Sequence, residues 1–211
     1  PDGIVDLSVG TPVDPVSPAI QLALTESAAE PGYPQTKGTL ALRKAIVGAM
    51  ERRFHVTGLD ADTQVLPVIG TKEAIAWMPT LLGLGAGHTV VIPELAYPTY
   101  EVSARLAGAD VLRSNSLLKL GPQTPALIYL NSPANPHGQV LGVEHLRKFV
   151  EFARDRGTII VSDECYLGLG WGDERPVSIL DPEVCGGDFT NLIAVHSLSK
   201  TSNLASYLSL I

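Results

Sequence analysis

The stretch Thr158-Ile159-Ile160-Val161-Ser162-Asp163-Glu164-Cys165-Tyr166 decides the fold. Three successive β-branched apolar residues leave neither strand face for solvent. Such strands belong to parallel sheets covered by helices on both sides. Upstream, Val143–Arg156 places Val143, Leu146, Val150 and Ala153 on one face of a helix. Before it, Ala126–Leu130 is another short apolar strand, and after it Leu192–Ser197 is a third. Strand, helix and strand in that order predict parallel βαβ units.

The same alternation extends toward the N-terminus. Thr39 to Phe54 reads as a helix, with Leu42, Ile46, Met50 and Phe54 on one face. Val65–Ile69 reads as a strand and Lys72–Leu82 as a helix that Pro79 kinks or ends early. Thr89–Pro93 and Ala109–Leu112 are strands around a helix at Thr99–Ala107. Residues 1–36 are rich in Pro, Gly and Ser, with one helical segment near Pro18–Ala29. The predicted class is α/β: three layers, α/β/α, around a mostly parallel sheet.

Composition narrows the function. Of 211 residues 45% are hydrophobic and 18% charged, and the formal net charge is −7. No basic stripe is present, so neither a nucleic-acid nor an anionic-membrane partner is expected. Cys165 and Cys185 have neither metal-ligand spacing nor a disulfide framework, and the five histidines are scattered, so no metal site is expected. No apolar run is long enough for a membrane span and no signal peptide is evident, which predicts a cytoplasmic protein. The chain begins at Pro1 rather than methionine, which leaves room for preceding residues. No G-x-S-x-G elbow occurs. The glycine runs at Gly83-Leu84-Gly85-Ala86-Gly87 and Gly168-Leu169-Gly170-Trp171-Gly172 read as turns, because neither follows a strand and opens a helix.

The strand ends carry the chemistry, where open α/β sheets bind ligands. Gly70-Thr71-Lys72 opens a helix whose free N–H groups suit a phosphate; an ordinary cap by Thr71 serves equally well. Tyr97 can stack on a ring or simply pack. Ser132-Pro133 and Asn135-Pro136 can fix an amide against a ring hydroxyl or form a plain turn. Asp163 ends a buried strand and needs a cation: a protonated pyridine nitrogen, a salt bridge or a helix end. Tyr166 can reach the same ring oxygen as Asn135. Lys200, in Ser197-Leu198-Ser199-Lys200, is either a solvated strand-end cap or a desolvated nucleophilic amine that forms a Schiff base with an aldehyde such as pyridoxal phosphate.

Taken together, Tyr33-Pro34…Gly38, Gly70-Thr71-Lys72-Glu73-Ala74, Tyr97-Pro98, Asn135-Pro136-His137-Gly138, Asp163-Glu164-Cys165-Tyr166 and Ser197-Leu198-Ser199-Lys200 resemble the fold type I aminotransferases of the aspartate-aminotransferase superfamily. The resemblance runs from about Gly10 to Tyr207 and leans toward the bacterial N-succinyldiaminopimelate aminotransferases. It implies pyridoxal 5'-phosphate as cofactor, with Lys200 as Schiff-base lysine and proton shuttle. Asp163 would hold the pyridine nitrogen protonated, Asn135 and Tyr166 the ring 3′-oxygen, and Tyr97 would stack on the ring. Gly70, Thr71, Lys72, Ser197 and Ser199 would form the phosphate cup. Tyr33 would reach the neighbouring subunit's phosphate in a homodimer, and Gly10, with Asn135, would lie near the substrate. The implied reaction moves an amino group between an amino acid and a 2-oxo acid, with glutamate and 2-oxoglutarate as one pair, in lysine and diaminopimelate biosynthesis. The same scaffold also serves β-lyases and other pyridoxal-phosphate reactions, or a non-catalytic cofactor-binding module.

The resemblance also implies a division of the chain. Residues 1–36 would belong to the small domain or arm and 37–211 to an incomplete cofactor-binding large domain, the C-terminal small domain being absent. Family members are about twice this long, so the chain reads as truncated. Their phosphate-binding arginine, eight positions after the lysine, corresponds to Leu208, and His137 replaces the usual threonine. By itself the chain is therefore expected to be inactive or barely active.

Overall fold

The computed structural model describes Gly3, Gly10, residues 14–173 and residues 175–204. Five strands form one sheet: β1 (Thr89–Ile92), β2 (Asp110–Arg113), β3 (Leu127–Asn131), β4 (Ile159–Asp163) and β5 (Leu192–Val195). Their order is β2-β1-β3-β4-β5, and every neighbouring pair is parallel.

Alternation along the strands builds three layers. Leu127 and Tyr129 of β3 face a core that contains Ile75 and Met78 of α3 (Thr71–Leu81) and Tyr100 and Ala104 of α4 (Thr99–Leu106). Ile128 and Leu130 face the opposite core, with Ile46 and Met50 of α2 (Leu40–Phe54) and Leu146, Phe149 and Val150 of α5 (Val143–Arg156). Each such aliphatic side chain contributes roughly 1.5–3 kcal/mol on burial. α4 crosses from β1 to β2 on one face and α5 from β3 to β4 on the other. The order in which strands are added reverses between β1 and β3, the switch point where such sheets bind ligands at the carboxyl ends of their strands. Register places Asn131 beside Asp163, and Asp163 beside Val195, at those ends.

Three local expectations change. Val65–Ile69 forms no strand, although Val65 is buried. An apolar pocket separates Gln64 and Val65 from Leu192, Ile193 and Ala194 of β5, so the segment has no ladder to join. In α2 the buried face is rotated. Ile46 and Met50 are buried as expected, yet Leu42 stays exposed and Arg43 takes an inside place at 2% exposure. Its guanidinium donates to the carbonyls of Lys37, Gly38 and Ala61 and to Asp62 Oδ1. Pro79 neither shortens α3 nor leaves it unsatisfied. The helix runs on to Leu81, and the Ile75 carbonyl that Pro79 cannot serve accepts the Tyr129 hydroxyl at 3.0 Å.

α1 (Pro18–Ser27) buries none of its residues. The Gly83–Gly87 run is a turn before β1, and no helix follows Gly168–Gly172 directly. Among the described residues no helix is long and apolar enough to cross a membrane.

Candidate active site

The end of β4 is the centre of the site. Asp163 is 6% exposed. Its Oδ2 accepts the Tyr100 hydroxyl at 2.7 Å and its Oδ1 accepts the Cys165 backbone N–H at 3.2 Å. Among the described residues it forms no ion pair. It caps a turn rather than a helix, so both structural alternatives for this carboxylate fall away. Glu164 is built into the other side. Its Oε1 accepts from Ser162 Oγ at 3.0 Å and Ile179 N at 2.8 Å, and its Oε2 lies 3.1 Å from His196 Nε2. The two atoms are close, yet both are buried without a hydrogen-bond partner among the described residues.

Asn131, at the end of β3, holds the neighbouring loop. Its amide donates to the Asp163 carbonyl at 2.9 Å, and its Oδ1 accepts the Asn135 N–H at 2.7 Å. The Ser132–Pro133 and Asn135–Pro136 peptides of this loop are cis. Asn135 and Tyr166 line the same cavity at these strand ends. His137 Nδ1 accepts the Gln139 N–H at 3.3 Å within the same loop.

The start of α3 approaches from the opposite side. Gly70 is the N-cap and Thr71 the first helical residue, so Thr71 does not cap the helix. The Thr71 hydroxyl instead lies 3.7 Å from Cys165 Sγ. The Glu73 carboxylate folds over Gly70 so closely that a Cβ there would collide with it, and Lys72 pairs with Glu73 at 3.3 Å. An anion at this helix end therefore requires Glu73, a half-exposed flexible side chain, to turn away.

Lys200 is not at a strand end. Past the short helix α6 (Pro182–Cys185), it lies in the one-turn helix α7 (Leu198–Thr201) and is half-buried, with Nζ donating to the Gly10 carbonyl at 3.0 Å. Ser197 caps α7, its Oγ accepting the Ser199 N–H at 3.1 Å. Tyr97 sits edge-on to Tyr100 with ring centroids 6.0 Å apart. Tyr33 is fully exposed. Tyr207 and Leu208 lie outside the described residues.

Electrostatics join these pieces. Burial, reinforced by Asp163, pushes the Tyr100 phenol far up, and burial also raises Tyr129. Burial and then Asp163 push the Cys165 thiol up, against the Thr71 hydroxyl and the Lys200 charge. Burial raises Tyr166, with Cys165, Asp163 and Tyr97 adding to it and the Asn135 side chain opposing. All four groups stay protonated at neutral pH. Lys200, Asp163, Cys165 and Thr71 thus share one neighbourhood with Tyr97, Asn135 and Tyr166.

Sequence reasoning missed Tyr100 and Asn131. Tyr100 stands three residues after Tyr97, in the first turn of α4. Asn131 is the polar residue that closes a buried strand. Both signals are visible in the sequence but common in cores. No metal-binding cluster occurs among the described residues.

Against known proteins, the family model "Aminotransferase class I and II" matches residues 2–207. A "Probable aminotransferase" of Mycobacterium tuberculosis is 67% identical over 98% of this chain and 49% of its own length. The 4-dedimethylamino-4-oxo-anhydrotetracycline transaminase of Streptomyces rimosus is 53% identical over 98% of this chain and 57% of its own. The structure of N-succinyldiaminopimelate aminotransferase from Mycobacterium tuberculosis superposes with a TM-score of 0.82 at 26% identity, covering 97% of this chain and 56% of that one. The chain spans about half the length of the curated relatives it matches.

Proposed function

This chain belongs to the class I and II aminotransferases, and we propose that it carries the cofactor-holding part of an enzyme that moves an amino group between an amino acid and a 2-oxo acid. Members of that family depend on pyridoxal phosphate. When bound, this cofactor supplies an electron sink for charge that develops at the amino-bearing carbon. The observation that carries the reading is Asp163, a buried carboxylate without a cationic partner among the described residues, in the same neighbourhood as the Lys200 amine. A carboxylate, an amine and the Asn135–Tyr166 pair fit the cofactor's ring nitrogen, aldehyde and ring hydroxyl.

In this reading Asp163 holds the proton on the ring nitrogen. Asn135 and Tyr166 hydrogen-bond the ring oxygen, and Tyr97 covers one ring face. The start of α3, from Gly70 to Lys72, receives the phosphate together with Ser197 and Ser199 once Glu73 turns outward. Lys200 would hold the cofactor through its amine, and the same nitrogen would accept and return the proton of the substrate carbon. Gly10, already in contact with the Lys200 amine, borders the substrate. Residues 1–36 form an arm, supported by α1, which buries none of its residues; Tyr33 reaches a second subunit of a cytoplasmic homodimer. Glutamate is the amino donor to test first. N-succinyldiaminopimelate is the partner to test beside it, supported by the structural likeness and set against the relative from Streptomyces rimosus.

The test is a visible absorption spectrum of the purified protein with pyridoxal phosphate, beside Lys200→Ala. The expected result is a band that borohydride bleaches, with the label on Lys200 by mass spectrometry and no band in the variant. Labelling of another lysine, or an unchanged spectrum in Lys200→Ala, would overturn the assignment. Release of ammonia without amino transfer would move the reaction to a lyase.

A further inference from the structure

We propose that Tyr100 is the positioning residue for Asp163 and sets the aim of its carboxylate; the inference rests on the aminotransferase reading. Tyr100 has no solvent exposure, and its hydroxyl donates to Asp163 Oδ2 at 2.7 Å. The other donor to this carboxylate is the Cys165 backbone N–H on Oδ1. A carboxylate held at one oxygen turns about its Cβ–Cγ bond. Donors from two elements fix its plane and leave its remaining lone pairs for a ring N–H.

Tyr100 is itself held in place by its neighbours. Its ring stacks on Tyr129 at 4.9 Å and 20°. Its carbonyl accepts Ser103 Oγ at 2.7 Å. Tyr129 in turn donates to the Ile75 carbonyl that Pro79 leaves free. The aim of Asp163 is therefore referenced to α3, whose first residue Thr71 borders the same site. Burial keeps the phenol neutral, so toward Asp163 it acts as a donor. Phenylalanine would preserve the stack and the shape and remove the donor alone.

Pyridoxal-phosphate dissociation constants of the protein, Tyr100→Phe, Asp163→Asn and the double variant, taken by absorbance titration, test this. Tyr100→Phe is expected to weaken binding about tenfold, the effect of one hydrogen bond to a charged group. In the Asp163→Asn background the same substitution is expected to add nothing. Wild-type affinity in Tyr100→Phe, or an equal loss in both backgrounds, would overturn the proposal. If Tyr100→Phe does not fold, 3,5-difluorotyrosine at position 100 keeps the shape and alters donor strength. It is expected to shift the pH midpoint of the bound cofactor's absorption, and an unmoved midpoint would overturn the proposal. If the unaltered protein binds no cofactor, the aminotransferase reading fails. A crystal structure of Tyr100→Phe then decides the positioning role: a rotated Asp163 carboxylate supports it, and an unmoved one ends it.

Discussion

At the centre of the sheet, β3 and β4 end in polar side chains whose partners come from several elements. Asp163 is met by α4 and by the turn that follows it, and Asn131 bridges the Asp163 carbonyl and the Asn135 loop. Among the described residues β5 pairs with β4 alone and runs into the single turn that carries Lys200, which reaches Gly10 through one hydrogen bond. The difference follows from desolvation. A buried strand end cannot leave polar groups unpaired, so the acid half of the site is assembled along with the core. On the amine side, Lys200 sits on a one-turn helix past the strand end and is only half-buried, so its nitrogen is less constrained by burial.

Core truncation gives the largest expected contrast. Leu127→Ala in β3 should lower unfolding free energy by about 3 kcal/mol and Leu192→Ala in β5 by about half of that, read by urea denaturation. Equal losses would mean that β5 is packed as tightly as β3. Next, Asn131→Ala should cost about 2 kcal/mol, because it strands the Asn135 N–H and removes one of the two donors to the Asp163 carbonyl. It should also weaken pyridoxal-phosphate binding; unchanged binding would detach the Asn135 loop from the site.

Lys200→Ala should change stability by about 1 kcal/mol or less while abolishing covalent cofactor attachment, a separation that the sparse support of α7 predicts. A large loss of stability would make Lys200 a structural residue. The smallest effect belongs to the surface. Arg105 and Arg113 hold the Glu101 carboxyl below the usual carboxylate range. The native value is the depressed one, so this contribution is present at neutral pH and is lost as pH falls through it. Glu101→Gln should therefore shift Tm slightly at neutral pH and not at all in acid or high salt. A shift that survives high salt would mean that packing, rather than charge, is responsible.

Much of this was legible in the sequence because burial on both faces marks parallel strands. β1 to β5, α4 and α5 stand where apolar runs and helical spacing put them, whereas the short helix Pro182–Cys185 before β5 carries no such pattern. Val65–Ile69 misled because strand-like composition states a tolerance for pairing and cannot supply the partner. Arg43 misled because a four-residue spacing identifies a helix without fixing which neighbouring stripe turns inward. At the site, Asp163, Asn135 and Tyr166 could be named from their places at strand ends, whereas Thr71 was named after a strand that does not form. Tyr100 could not, because a tyrosine that orients a carboxylate looks in sequence like any core aromatic.

By itself, then, the sequence determined the α/β layering, the strand ends that carry chemistry and the family to which they point. Apolar periodicity and residue chemistry are local properties that a chain displays before it folds. Only the tertiary structure decided that Asp163 is met by a phenol rather than a cation, that Glu73 covers the start of α3, and that Lys200 rests on Gly10. Those outcomes depend on which distant groups burial brings within hydrogen-bonding reach, and the spacing of residues along a chain does not encode that distance.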